Sequence, residues 1–197
     1  MKKKIYGLTG MSGAGKTTVS DIFKNCGFLV INCDKVAREV TEKGTACLKE
    51  IGQKFPGVIN SDGTLDRKKL GGIVFNDSDK LKMLNDTIYP YITYRVIKQI
   101  ENVDKGYILL DAPTLFESGI DYICDGVVSV VCDREISVQR IMARDNVTKE
   151  MAQSRLSSQH SIDFYIDRSL YFIENNGTEQ ELTDKAEKTA LQILRGI

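Results

Sequence analysis

The sequence predicts an α/β fold: a five-stranded parallel sheet with helices on both faces, a helical insertion and a helical lid. Five short apolar runs lack the strict alternation of half-exposed strands, as expected for parallel strands buried on both faces. Stretches with helical periodicity separate these runs. Their spacing along the 197 residues is uneven, and two of the intervening segments are too long for simple crossovers.

Each predicted strand contains five or six residues and is rich in Val, Ile, Leu, Tyr or Phe. The five are Lys4–Thr9, Phe28–Asn32, Tyr107–Asp111, Val127–Cys132 and Leu170–Glu174. Between the first two, Val19, Ile22, Phe23 and Cys26 repeat with the spacing of an amphipathic helix, and Gly27 follows where a left-handed residue would end it. Strands and helices that alternate in this way are joined by right-handed crossovers.

The two long segments predict additions to the sheet. From Cys33 to Gly106 the chain runs for 74 residues, so we expect an additional helical subdomain there, inserted at about residues 35–95. Residues 134–169 are rich in charge and predict a helix–turn–helix lid. The core that carries the sheet would then comprise residues 1–34, 96–133 and 170–197.

Composition excludes several classes of protein. The 27 Lys and Arg balance the 27 Asp and Glu, which argues against a general nucleic-acid-binding protein. No apolar stretch approaches the roughly 18 residues that cross a bilayer, and the apolar run after the N-terminal lysines is too short for a signal peptide. Five cysteines without a C-x-x-C pair are typical of reduced, buried thiols. We therefore expect a cytoplasmic protein without membrane or nucleic-acid partners.

One motif carries chemistry directly. Gly10–Thr17 reads GMSGAGKT and matches G-x-x-x-x-G-K-[ST], the phosphate-binding loop or P-loop. Its glycines let successive backbone N–H groups converge on phosphate oxygens, and the following helix adds its positive dipole end. Lys16 would reach the β- and γ-phosphates of ATP, and the Thr17 hydroxyl would bind Mg²⁺. The predicted nucleotide-binding residues here are Gly10, Ser12, Gly13, Ala14, Gly15, Lys16, Thr17 and Thr18.

Asp111 ends the third predicted strand, in the arrangement that holds magnesium in P-loop proteins. The string is common, so a turn or helix-capping Asp is the alternative. The chain contains neither the N-K-x-D nor the D-x-x-G motif of GTPases. A small P-loop kinase is therefore favoured over a signalling GTPase.

The predicted lid contains most of the arginines that could face phosphate. Arg140 and Arg144 are four residues apart and share one face if the segment is helical. Guanidinium groups on a closing lid neutralise the charge of the transferring phosphoryl group. A solvated, charged helix is the alternative. His160, the single histidine, is expected to have a surface or capping role.

Phosphoryl transfer to a hydroxyl also needs a carboxylate beside the acceptor. Asp34 follows the second strand, at the sheet edge where α/β proteins bind ligands, and Arg38 lies one helical turn further on. The two would serve as base and anchor for an anionic substrate. Asp34 could equally be the N-cap of a helix at 35–41.

Together these residues resemble the dephospho-CoA kinase family. The resemblance rests on the P-loop, on Asp34–Glu39 (DKVARE), on Asp62–Arg67 (DGTLDR) and on Asp111–Glu117 (DAPTLFE), in family order. Further matching landmarks are Val74-Phe75, Gln139-Arg140, Arg144, Arg155, Gln159, Glu174-Asn175 and Gly177. Tyr89-Pro90 and Ser169-Leu170 depart from the usual family residues.

The resemblance implies ATP-dependent phosphorylation of the ribose 3′-hydroxyl of dephospho-coenzyme A, the final step of coenzyme A synthesis. It implies Asp34, Lys16 and Arg140 as catalytic residues, Asn175 and Arg140 as further nucleotide contacts, and Thr17 and Asp111 as magnesium ligands. The implied substrate contacts are Asp34, Arg38, Arg67, Pro113, Leu115 and Glu117. We expect a monomer or weak homo-oligomer whose partners are the small molecules ATP and dephospho-CoA. A different small P-loop kinase, for a nucleoside monophosphate or a sugar-like alcohol, and a regulatory nucleotide-binding protein are the alternatives.

Overall fold

The computed structural model describes residues 3–196, which divide into two units. The first comprises Met1–Ile31 and Asp104–Ile197, and the second comprises Asn32–Val103. The insertion predicted at residues 35–95 lies inside the second unit. Its predicted end falls within a helix, so the unit continues beyond it.

The first unit is built on the sheet. Its strands are β1 (Lys4–Gly10), β2 (Leu29–Asn32), which runs up to the second unit, β3 (Tyr107–Asp111), β4 (Gly126–Val131) and β5 (Tyr171–Glu174). They lie in the order β2-β3-β1-β4-β5, and β1 pairs in parallel with both β3 and β4. The five-stranded parallel α/β fold that the sequence predicts is confirmed.

Five helices and a short 3₁₀ turn at Ile120–Ile123 complete the first unit. The helices are α1 (Lys16–Asn25), α6 (Arg134–Asp145), α7 (Lys149–Ser157), α8 (Ile162–Asp167) and α9 (Glu179–Arg195). Gly27 follows α1 with φ of 101°, so the predicted left-handed residue is confirmed. Residues 134–169 form three helices instead of the predicted two, because Ser161 caps an additional short helix through the Phe164 N–H.

The core of the first unit lies between the sheet and its helices. Phe23 of α1 is fully buried, and its ring centroid lies 4.9 Å from that of Phe28, which also contacts Tyr107 of β3 at 5.5 Å. Residues of all three lid helices join this core, among them Ile141, Leu156 and Tyr165. The predicted lid is therefore anchored to the sheet by apolar packing.

The second unit consists of four helices: α2 (Cys33–Val40), α3 (Ala46–Lys54), α4 (Arg67–Val74) and α5 (Ser78–Glu101). They pack around a small core of their own, formed by Cys47, Ile51, Phe55, Val58, Leu70, Val74 and Leu84. Gly57 and Gly63 have positive φ in the turns between α3 and α4. No helix among residues 3–196 is long and apolar enough to cross a membrane.

The start of α2 corrects one alternative from the sequence. The N-cap is Asn32, whose side-chain oxygen accepts a hydrogen bond of 2.8 Å from the Lys35 N–H. Asp34 lies inside the first turn, so the interpretation of Asp34 as the cap is wrong. Because α2 begins directly after β2, Asn32 occupies the N-cap position, and its side chain accepts from an N–H of the first turn that has no partner within the helix.

Burial of the Phe23 ring gives a test of this packing. We expect Phe23→Ala to lower the free energy of unfolding by about 3–5 kcal/mol, because it removes a buried aromatic ring and leaves a cavity. Phe172→Ala, on the sheet edge and with 53% of the side chain exposed, should change it by less than about 1 kcal/mol. Urea titrations of both variants measure the difference, and similar losses would contradict the assignment of the core.

Candidate functional site

The P-loop connects β1 to α1 and depends on glycine at three positions. Gly10, Gly13 and Gly15 have φ values of 147°, 81° and 95°, which side-chain-bearing residues rarely adopt. A Cβ on Gly10 would lie 2.1 Å from the Val130 oxygen, and one on Gly15 would lie 2.6 Å from the Asn175 amide nitrogen. The glycines therefore provide close packing as well as the turn.

Backbone hydrogen bonds fix the loop to the sheet. The Met11 N–H donates to the Val130 oxygen at the end of β4, at 3.1 Å, and the Ala14 N–H donates back to the Met11 oxygen. Gly15 precedes α1 in a left-handed conformation and gives no side-chain cap. The first turn of α1 is consequently the kind of helix N-terminus that binds phosphate.

Lys16, which is half-buried, forms an ion pair through Nζ with Oδ1 of the buried Asp111. Asp111 ends β3 and is 4% exposed, and β3 is hydrogen-bonded to β1 in a register that places Asp111 opposite Leu8. The structure thus brings together the loop lysine and the strand-end aspartate that the sequence singles out. Each offsets the cost of burying the other's charge.

Arg140 lies on α6 and also reaches the loop. Its guanidinium donates to the Asn175 backbone oxygen at 2.9 Å and to the Gly13 oxygen at 3.5 Å. Asn175, 6% exposed, donates from its side-chain amide to the Ala14 oxygen at 2.8 Å. Arg140 and Asn175 therefore both donate to backbone oxygens of the loop, and we call this pair the guanidinium–amide brace.

A depression of about 250 Å³ opens beside this brace. It is lined by Gly13, Gly15, Thr18, Arg140, Asn175, Glu179 and Leu182. Five of these seven are predicted nucleotide-binding residues, while Glu179 and Leu182 of α9 are not. Sequence reasoning missed them because α9 is more than 160 residues from the loop and carries no recognised motif.

Residues 113–117, which follow β3, include three predicted substrate contacts whose surroundings differ. The Pro113 oxygen accepts a hydrogen bond of 3.2 Å from the Thr9 hydroxyl, and Glu117 lies 3.4 Å from His160. Leu115 is fully buried, and its methyl groups occupy the space where a Cβ on Gly7 would lie. The structure therefore places Leu115 in the core, and we do not retain its side chain as a substrate contact.

The second unit holds the other predicted substrate contacts. Asp34 and Arg38 lie one turn apart on α2, both exposed, and neither side chain has a polar partner among the described residues of that unit. Arg67 donates to the Thr41 hydroxyl at 2.8 Å, just beyond the end of α2. Thr41 is buried and donates in turn to backbone oxygens of the same helix, so Arg67 is fixed against the helix that carries Asp34.

The first unit also offers oxygen ligands suited to magnesium. The Thr17 hydroxyl and the Asp111 carboxylate are hard donors of the type that Mg²⁺ prefers, and magnesium usually takes its remaining ligands from phosphate and water. Among residues 3–196, no cluster of three or more His, Cys, Asp or Glu could hold a metal alone. The donor set therefore fits a metal that arrives with a nucleotide.

Comparison with known proteins agrees with this geometry. A model of the dephospho-CoA kinase family matches residues 4–181. Dephospho-CoA kinases of Fusobacterium nucleatum and Enterococcus faecalis are 37% and 35% identical to the chain, over 95% and 94% of its length and 97% and 94% of theirs. The structure of the Campylobacter jejuni dephospho-CoA kinase superposes with a TM-score of 0.73 at 28% identity, covering 98% of both chains. The resemblance seen in the sequence is thus confirmed, and the chain belongs to the dephospho-CoA kinase family.

Proposed function

We propose that this protein transfers the γ-phosphoryl group of ATP to the ribose 3′-hydroxyl of dephospho-CoA, giving coenzyme A and ADP in the final step of coenzyme A synthesis. The observation that carries the proposal is the ion pair of Lys16, in a glycine-dependent P-loop, with the buried Asp111, in a chain of this family. The site supplies positive charge and N–H donors, which are the means by which proteins catalyse phosphoryl transfer.

On the nucleotide side, each residue has a separate task. The loop N–H groups hold phosphate oxygens, and Lys16 moves its charge from Asp111 to the β- and γ-phosphates when ATP binds. Arg140 faces the same loop and stabilises charge on the transferring group. Asn175 binds both Arg140 and the Ala14 oxygen of the loop, and so fixes the position of Arg140 relative to the loop.

Magnesium, when bound, would neutralise part of the negative charge on the phosphates. Thr17 and Asp111 are the residues that would hold it, directly or through water. The Asp111 carboxylate would then lie beside a positive charge both with Lys16 and with such a metal.

On the acceptor side, we propose that Asp34 orients the ribose hydroxyl and accepts its proton. The capping role belongs to Asn32, so the Asp34 carboxylate is available for substrate. Arg38 and Arg67 provide positive charge for an anionic substrate, with Pro113 and Glu117 as further contacts from the first unit. The helical unit at Asn32–Val103 is the proposed substrate-binding domain, and residues 134–169 the proposed lid.

Two further properties belong to this proposal. The enzyme is proposed to act in the cytoplasm, on small-molecule substrates and without nucleic-acid or membrane partners. It is proposed to be a monomer or a weak homo-oligomer.

A coupled assay of ADP release tests the substrate. Dephospho-CoA should support turnover in the presence of ATP and magnesium, while nucleoside monophosphates and shikimate should not. Analysis of the product by mass and by 3′-specific phosphatase digestion locates the new phosphate. Preferred phosphorylation of either control substrate would favour the alternative of another small P-loop kinase.

Lys16→Met tests the phosphate-facing charge while keeping most of the apolar stem. We expect kcat to fall by about 10²–10³-fold, the loss typical for removal of one preorganised donor to a developing negative charge. Because the variant removes the positive charge beside the buried Asp111 carboxylate, it should also melt at a lower temperature, and this loss should be largely restored by adding Asp111→Asn. Near wild-type turnover by a folded Lys16→Met enzyme would contradict the mechanism.

Asp34→Asn tests the proposed base. Asparagine cannot accept the ribose proton at neutral pH, so turnover should fall by about 10²–10⁴-fold. Stability should change by less than about 1 kcal/mol, because only a favourable charge in the first turn of α2 is lost. The matched control is Asp77→Asn, the same change at the N-cap of α5, which should leave turnover unchanged. Equal activities of the two variants would leave Asp34 without a catalytic role.

Arg140→Ala tests the contribution of α6. Loss of a charged donor at the loop should lower kcat/KM for ATP at least about tenfold. Lys149→Ala, on the exposed first turn of α7, should change it less than twofold. Initial rates over a range of ATP concentrations decide the matter, and similar small effects in both variants would contradict the placement of Arg140 over phosphate.

A further inference from the structure

One P-loop N–H is already engaged by a side chain. The Ser12 N–H donates to Oε1 of Gln159 at 3.0 Å, across 147 positions of sequence. Ser12 occupies one of the variable positions of the loop, immediately before the residues that cradle phosphate. This N–H is therefore bound to the protein itself, and a phosphate group could use it only after the bond to Gln159 breaks.

The bond fixes which way the Gln159 amide points. Only the oxygen can accept from a backbone N–H, so the NH₂ end is directed away from Ser12. Among residues 3–196, that NH₂ group has no hydrogen-bond partner. The side chain is half-buried, and its NH₂ donor consequently lies near the loop, separated from the Ser12 N–H by the width of one amide group.

The surrounding segment holds Gln159 in place from both sides. Its own N–H donates to the Leu156 oxygen at the end of α7, at 3.2 Å. The next residue, His160, stacks on Phe164 of α8 with 3.6 Å between ring centroids and 14° between planes. Arg168 covers Phe164 at 4.6 Å, which completes the stack. The amide is thus held in a defined position before any ligand binds.

We propose that Gln159 is a phosphate-contacting residue of the site, and that its NH₂ group donates to the γ-phosphate of bound ATP. The Ser12 N–H donates to the Gln159 oxygen and is therefore not available to phosphate. The NH₂ group of the same amide takes its place as a donor. The inner phosphates are held by backbone N–H groups, so the terminal phosphate is the one that a donor one amide width from the backbone can reach. The proposal deepens the proposed function, since it concerns the nucleotide half of that site.

The hydrogen bond from Ser12 also strengthens the donor that Gln159 offers. A backbone N–H that donates to the amide oxygen polarises the amide and makes its NH₂ a stronger donor. The contact stabilises negative charge without adding a cation, unlike Lys16 or Arg140. Gln159 therefore contributes a neutral, oriented donor to a region that already has two positive side chains.

Gln159→Glu separates this role from a merely structural one. A carboxylate still accepts from the Ser12 N–H, so the bond that anchors the segment is kept. The free donor becomes a negatively charged acceptor, which repels the terminal phosphate. Binding is measured by calorimetry in the presence of magnesium, with the non-hydrolysable analogue adenylyl imidodiphosphate as the triphosphate and ADP as the diphosphate.

We expect Gln159→Glu to weaken binding of the triphosphate analogue at least about tenfold more than binding of ADP, with the melting temperature near that of wild type. Gln159→Leu, which lacks both donor and acceptor, should also weaken the analogue more than ADP. The charge control is Gln153→Glu on the exposed face of α7, which should affect both nucleotides equally and weakly.

Equal losses for the two nucleotides in both Gln159 variants, or no loss in either, would overturn the proposal. The measurement contains no acceptor substrate, so its outcome does not depend on which hydroxyl the enzyme phosphorylates. Failure to phosphorylate dephospho-CoA would refute the proposed function and leave the role of Gln159 in triphosphate binding intact.

Discussion

The site depends on how closely the P-loop approaches its neighbours. The loop backbone lies against the end of β4, against Asn175 and against α6, with no room for a Cβ at Gly10 or Gly15. This packing positions the N–H groups and brings Lys16 to Asp111, because β1 and β3 are paired in one sheet. It also lets Arg140 reach the Gly13 oxygen from a separate helix. The chemistry-bearing groups of the first unit are therefore positioned by contacts with backbone atoms of the loop.

The local signals in the sequence were sufficient for the fold. Each strand is a short apolar run, and each predicted strand lies within one residue of its observed limits. The phosphate motif is contiguous, so its residues and its chemistry could both be read directly. The sequence assigned Lys16 and Asp111 to one nucleotide site, whereas their ion pair is seen only in the structure.

Other features depend on contacts that no local pattern records. Helix α2 begins at Cys33, two residues before the start of the predicted helix, so its N-cap is Asn32 and not Asp34. Leu115 belongs to a family string, yet its side chain fills the space beside Gly7. The bonds of Gln159 to Ser12 and of Asn175 to Ala14 join residues more than 140 positions apart. Tertiary packing decides such pairings, and one sequence alone does not contain them.

The two cations beside the loop differ in how far their fields reach. Lys16 is paired with a carboxylate, so its charge is largely neutralised at a distance. Arg140 bonds only to neutral oxygens and has no ion-pair partner among residues 3–196. Of these two cations, Arg140 should therefore contribute more to the long-range attraction of an approaching polyanion. We expect salt to screen this attraction by Arg140 more strongly than the short-range contacts of the ion-paired lysine.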